Sequence, residues 1–188
     1  MHEQYVESMT RNARTNRGEP RVLEVIGGAI KMRGQDGFVL SLVEYMNKTG
    51  LQVDCLVPYT CTFDSYKERM NGCGVRLFEL GISYDPHRTV SEVYWPFLSF
   101  LEAHPYDVVH IHSSKTTMMA IMAIAAKKAG VPKVIVHAHN GGHGFSLMHI
   151  ILRQLGNLCM KSHVDLYCAC SRSAAEWKFA KRYAAGDL

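Results

Sequence analysis

From residue 21 onward the chain alternates short apolar runs with longer stretches whose apolar residues recur three to four positions apart. RVLEVI at 21–26 predicts a strand, and 27–37 a glycine-bearing loop. Residues 38–48 place Phe38, Leu42, Tyr45 and Met46 at helical spacing, with Gly50 as the stop. QVDCLV at 52–57 is a second strand closed by Pro58, and 62–71 a short helix. VRLFEL at 75–80 is a third strand, followed by a helix over 89–103 that Pro96 kinks or delays. DVVHIHS at 107–113, KVIVHAH at 133–139 and VDLYCAC at 164–170 complete six strands, separated by helices over 116–129 and 146–161. A last helix begins at 174. Successive strand starts are 31, 23, 32, 26 and 31 residues apart, enough each time for a strand and one crossover helix. Apolar strands joined this way predict an α/β fold. It is a doubly wound parallel sheet of about six strands in the order 3-2-1-4-5-6, with helices on both faces.

Composition narrows the class. With 188 residues, 47% hydrophobic and 20% charged, the chain is globular, with one domain over 21–188 and a polar flexible arm over 1–20. It is too short for a (β/α)8 barrel, which takes roughly 250 residues. A net charge of +4 without a basic stripe argues against a nucleic-acid partner. The six cysteines form no CxxC pair, so no zinc ribbon or thioredoxin motif is expected. The first twenty residues lack the apolar core of a signal peptide, which favours reduced, mostly buried thiols in a cytoplasmic protein. The longest apolar run, 118–126, is far short of the roughly 20 residues that span a bilayer.

In such a sheet ligands bind beyond the carboxyl ends of the strands, where the strand order reverses. Here strand one runs into GGAIKMRGQDG, strand four ends in His110-Ile111-His112-Ser113-Ser114-Lys115, and strand five in His137-Ala138-His139-Asn140-Gly141-Gly142-His143-Gly144. Gly27, Gly28, Gly34 and Gly37 permit positive φ and close backbone approach. The N–H groups that follow suit a phosphate or sugar oxygen, although a plain flexible loop fits the same residues. Alternate residues of a strand share a face, so His110 pairs with His112 and His137 with His139. Three readings stand. In the first, His112 and His139 reach the cleft and donate to hydroxyls while His110 and His137 are buried. In the second, all four are interior histidines. The third is a metal site, disfavoured because no carboxylate stands near either pair in the sequence. The first loop is not GxGxxG and no acid follows strand two, against a dinucleotide site. No P-loop and no GxSxG elbow occurs.

RVLEVIGG, YDVVHIHSS, VPKVIVHAHNGG and DLYCACSRSAAEWKF, in that order and spacing, resemble the N-terminal, acceptor-binding domain of GT-B glycosyltransferases of the family 4 type, from capsule and exopolysaccharide synthesis. The resemblance implies transfer of a sugar, with retention, from a nucleotide-sugar donor to a saccharide or lipid-linked acceptor, and no cofactor or metal. By position it makes His139 the candidate catalytic residue, against the donor sugar. It makes Gly28, Gly34, Gln35, Asp36, His112, Ser113, Ser114 and Asn140 the candidate substrate-binding residues. Ser171 would cap the helix after strand six.

Two departures from the family pattern matter. The first loop reads Arg33-Gly34-Gln35-Asp36-Gly37 where relatives carry Gly-Gly-Ala-Glu, with Asp36 as the substitute acid. The donor-binding half is absent from these 188 residues, so the expectation is a piece with little activity until a C-terminal domain or partner chain completes it. Against this stand a non-catalytic saccharide- or nucleotide-binding module and a metal-dependent hydrolase using the His-x-His pairs. The apolar stretch 148–161 reads either as a core helix or as a surface for peripheral contact with the inner membrane face.

Overall fold

The computed structural model describes residues 20–85, 90–141 and 146–184, with side chains through Phe179. The polar arm, the expected helix start at residue 89 and the loop glycines and histidine at 142–144 lie outside the described residues. Six strands, β1 (Arg21–Ile26), β2 (Gln52–Tyr59), β3 (Arg76–Ile82), β4 (Val108–His112), β5 (Lys133–Ala138) and β6 (Leu166–Ala169), form one parallel sheet in the order β3-β2-β1-β4-β5-β6. The crossovers carry α1 (Gly34–Lys48), α2 (Asp64–Gly72), α3 (Tyr94–Ala103), α4 (Thr116–Lys128) and α5 (Leu147–Met160), and α6 (Arg172–Ala184) follows β6. Val22, Val25, Val109, Ile111, Val134 and Val136 are completely buried, as a sheet covered on both faces requires.

Boundaries differ from the expectation where a side chain intervenes. α1 begins at Gly34, not 38, because the Asp36 carboxylate accepts from the backbone N–H groups of Lys31 and Arg33 and so closes the first turn. β2 runs through Pro58 to Tyr59. Pro58 lies past the last β1 pairing, at Leu56, and the ladder to β3 shifts register around it. Pro96 falls in the first turn of α3, entered from a 3₁₀ turn at Val90–Val93, where a missing N–H costs no helical bond. Only Cys55 and Cys61 are buried, and Cys159 and Cys170 are exposed, so the thiols are free but not mostly interior.

α5 is not a core helix. Its buried residues are Gly156 and Met160, and it packs on α4 through that narrow stripe. Leu147, Met148, Leu155 and Leu158 are each more than half exposed. Gly156 explains the packing: a Cβ there would lie 3.1 Å from both the carbonyl oxygen and Cγ2 of Thr116, so only glycine lets the helices approach this closely. In an unconstrained helix, Gly→Ala stabilises by about 1 kcal/mol. Here Gly156→Ala is expected to destabilise by about 1–3 kcal/mol, because the clash is with backbone. The midpoint of urea unfolding reads the sign directly.

Candidate functional site

The carboxyl ends of β1 and β4, where strand order reverses, open into a cavity of about 550 Å³. Its walls come from the loop after β1, the start of α1, the β4–α4 turn and the residues after β5 and β6. Gly28, Gly34, Gln35, Asp36, Ser114, His139 and Asn140, all picked out in the sequence, line it. Lys31, Arg33 and Lys115 line it as well and give the rim positive charge. None of the first-loop glycines has positive φ; Met32, at φ 53°, makes the left-handed turn instead. Gly27 is needed for close approach. Its N–H donates to the His112 carbonyl (2.7 Å), and a Cβ would stand 3.0 Å from that of Ser113.

Several sequence candidates, Asp36 and Gln35 of the lining among them, also serve the frame. Asp36 is nearly buried and its carboxylate is engaged by the loop backbone. Gln35 Nε2 donates to the His112 carbonyl at 3.3 Å, tying α1 to the end of β4. Ser113 is buried and its Oγ accepts from Lys115 N–H at 3.1 Å. Ser171 Oγ accepts from Ala174 N–H at 3.2 Å, the capping contact of α6. His112 is completely buried and does not line the cavity. It stands behind His139, with its Nδ1 2.8 Å from His139 Nε2.

Behind that pair lies a residue the sequence reading passed over. Glu24, in mid-β1, is completely buried. Register sets it opposite His110, while Ile26 is opposite His112 and His112 opposite His137. Glu24 Oε2 lies 2.6 Å from His112 Nε2 and 2.8 Å from His110 Nδ1. A carboxylate does therefore stand among the histidines, contrary to the reading from sequence. Phe38 of α1 packs against the rings of His112, His137 and His139, and the last two stack at 4.3 Å. The signal was available: one acid inside an otherwise apolar parallel strand needs a buried partner.

Ring nitrogens of His110, His112 and His137 fall within 4.8 Å of one another, a grouping with metal-ligand chemistry. The Glu24 contacts, however, have hydrogen-bond lengths, shorter than the roughly 3.3 Å between ligand atoms around a tetrahedral zinc. Glu24, His112 and His139 are joined by hydrogen bonds as they stand. Lys178 of α6 is a second missed residue. It is nearly buried and donates to the Ser114 carbonyl at the cavity edge. Burial, with repulsion from Arg153, pushes its ammonium down to about 8. Cys170, also missed, lines the cavity and its thiol donates to the His139 carbonyl at 3.0 Å.

A glycosyl transferase 4-like domain matches residues 33–183. The chain belongs to that family. It is 30% identical over 175 residues to the putative glycosyltransferase EpsF of Bacillus subtilis (strain 168), which covers 88% of the chain and 42% of EpsF. Among solved structures it is similar to the lipopolysaccharide outer core galactosyltransferase WaaB. That match has a TM-score of 0.59 at 13% identity and covers 89% of this chain and 44% of WaaB. It is similar to the S. aureus MnaA–UDP co-structure as well, with a TM-score of 0.57 at 13% identity, over 86% of this chain and 42% of that one. At such identities the likeness concerns the fold, the Rossmann-like half of a GT-B architecture. The chain spans less than half the length of each of these relatives.

The electrostatics of the cluster give it a pH signature. Burial pushes the Glu24 carboxyl up, but the charge of His110 and the hydrogen bonds from both imidazoles outweigh it and hold it down to about 2. Burial, then repulsion from His110, lowers His112 to about 4 against the pull of Glu24. Burial and the neighbouring imidazoles lower His139 to about 3 and hold His137 far below the ordinary histidine range. Below about pH 6.5 the unfolded chain takes up protons that the folded rings refuse. Stability is therefore expected to fall from there, by about 1.4 kcal/mol per pH unit for each such histidine. Glu24 adds its own loss below about pH 4.5. Urea midpoints measured between pH 7.5 and 5 check this; a flat profile would contradict it.

Proposed function

We propose that this chain is the acceptor-side half of a retaining glycosyltransferase that moves a sugar from a nucleotide-sugar donor to a saccharide or lipid-linked acceptor in surface-polysaccharide synthesis. The observation that carries the reading is the cavity at the strand-order reversal, which combines His139, a glycine loop and three basic side chains. The first turns of α1 and α4 begin beside it, so their N–H groups add to the attraction for a diphosphate. In this reading His139 meets the donor sugar and the β1–α1 loop approaches the phosphates. Ser114 and Asn140 take acceptor or sugar hydroxyls. Similarity to a protein whose structure holds UDP supports the same class of donor. The hydrolase alternative needs a metal open to substrate, whereas His110, His112 and His137 are all buried.

Catalysis by positioning needs both reactants held in one closed site. The isolated chain is thus expected to bind nucleotide sugars only weakly, with a dissociation constant on the order of 1 mM, and to show no turnover in a radiolabelled-sugar assay. Titration with a panel that includes UDP-N-acetylglucosamine, followed by calorimetry, tests the reading. Arg33→Ala and Lys115→Ala are each expected to weaken binding by about threefold to tenfold. Absence of binding across the panel, or binding left unchanged by both substitutions, contradicts it.

The exposed apolar face of α5 supports peripheral contact with the membrane that carries a lipid-linked acceptor. None of the described helices is long and apolar enough to cross a bilayer. Co-sedimentation with anionic vesicles is expected for the chain and should be lost in the triple variant Leu147→Glu, Met148→Glu, Leu158→Glu. Unchanged sedimentation of that variant removes this part of the reading.

A further inference from the structure

The cavity floor and the buried acid behind it are joined by a line of hydrogen-bonding atoms crossing three adjacent strands. Glu24 on β1, His112 on β4 and His139 just past β5 stand in series, at 2.6 Å and 2.8 Å. Only the last of the three lines the cavity. Each link constrains the next. An ionised carboxylate accepts hydrogen bonds and cannot donate them, so His112 Nε2 must carry the hydrogen that faces Glu24. A neutral imidazole has one such hydrogen, which leaves His112 Nδ1 as a lone pair. That lone pair faces His139 Nε2, and two lone pairs at 2.8 Å would repel, so His139 Nε2 must be the N–H. His139 Nδ1 is then a lone pair too.

We propose that Glu24 and His112 are positioning residues that lock His139 in its Nε2–H tautomer, so that this histidine offers the cavity a hydrogen-bond acceptor at Nδ1. This reverses the donor role expected of His139 from the sequence. Its consequence for substrate, that a sugar hydroxyl donates to His139, rests on the transferase reading; the tautomer itself does not. The surroundings favour the locked form. His112 and Glu24 are completely buried, and Phe38 holds the His112 and His139 rings from the α1 side at centroid distances of 5.9 and 5.0 Å. The low pKa values of His112 and His139 keep both rings neutral near pH 7.

The test reads the ring nitrogens directly. The 188-residue chain, labelled with ¹⁵N-histidine, gives long-range ¹H–¹⁵N correlations at neutral pH, and His139→Gln and His112→Asn assign the two rings by the signals they remove. The expected result is an N–H-type shift at Nε2 and a lone-pair-type shift at Nδ1 in both residues. In Glu24→Gln, whose amide can donate as well as accept, His139 is expected to show averaged shifts from mixed tautomers while the fold is retained by thermal melting. If that variant does not fold, the wild-type spectrum still decides. A protonated Nδ1 at His139, an imidazolium at His112, or His139 shifts unchanged in Glu24→Gln would overturn the proposal. So would stoichiometric zinc in the purified chain, since the same imidazoles would then be ligands. No ligand enters the measurement, so its failure and a failure of nucleotide-sugar binding are separate results.

Discussion

A carboxylate with no exposed surface, in the middle of a parallel sheet, is the constraint around which this molecule is arranged. Glu24 is in that position. Leaving such a charge unpaired would cost far more than a domain of this size can spare, so the neighbouring strand must bring partners to it. β4 does so with two imidazoles on one face, one of which carries the contact on to His139 at the cavity. Removing the acid would leave several buried imidazoles competing for a few hydrogens, with no group to set their orientation. The polar line thus orders the cavity floor as much as it stabilises it.

The roof of the cavity is tied to the same strand. The His112 carbonyl accepts from Gly27 N–H and from the Gln35 side chain, so β1, the first loop and α1 all meet the end of β4. Asp36 stiffens that loop from within, and Met32 makes its left-handed turn. On the far side Lys178 of α6 holds the Ser114 carbonyl. A ligand in this space would therefore meet walls set by elements drawn from almost the whole described length. Local substitutions at Gly27, Asp36 or Lys178 act on shape before they act on chemistry.

Packing is uneven away from the site. The central strands β2, β1, β4 and β5 are buried on both faces, whereas α5 meets α4 through a stripe centred on one glycine and leaves most of its apolar side chains outward. Periodicity reported the apolar content of this helix correctly and could not report which face was covered. That depends on the close approach at Thr116, made by residues forty positions away in sequence.

The alternation of short apolar runs with crossover-length helices was enough to assign the sheet, its strand order and the edge at which the cavity opens. These follow from local periodicity and from the handedness of crossovers, which every such chain obeys. The polar strand ends that it located include the glycine loop, Ser114, Asn140 and His139, which line the cavity, whereas the roles expected of them came from the family resemblance, and His112 and Ser113 at the end of β4 are buried instead. What tertiary structure alone decided is which side chains meet. Glu24 and His112 are 88 residues apart, and nothing local places them 2.6 Å from each other. Strand register does that, by setting β1 against β4 and β4 against β5. Register is settled by the packing of the entire sheet, and no short segment contains it.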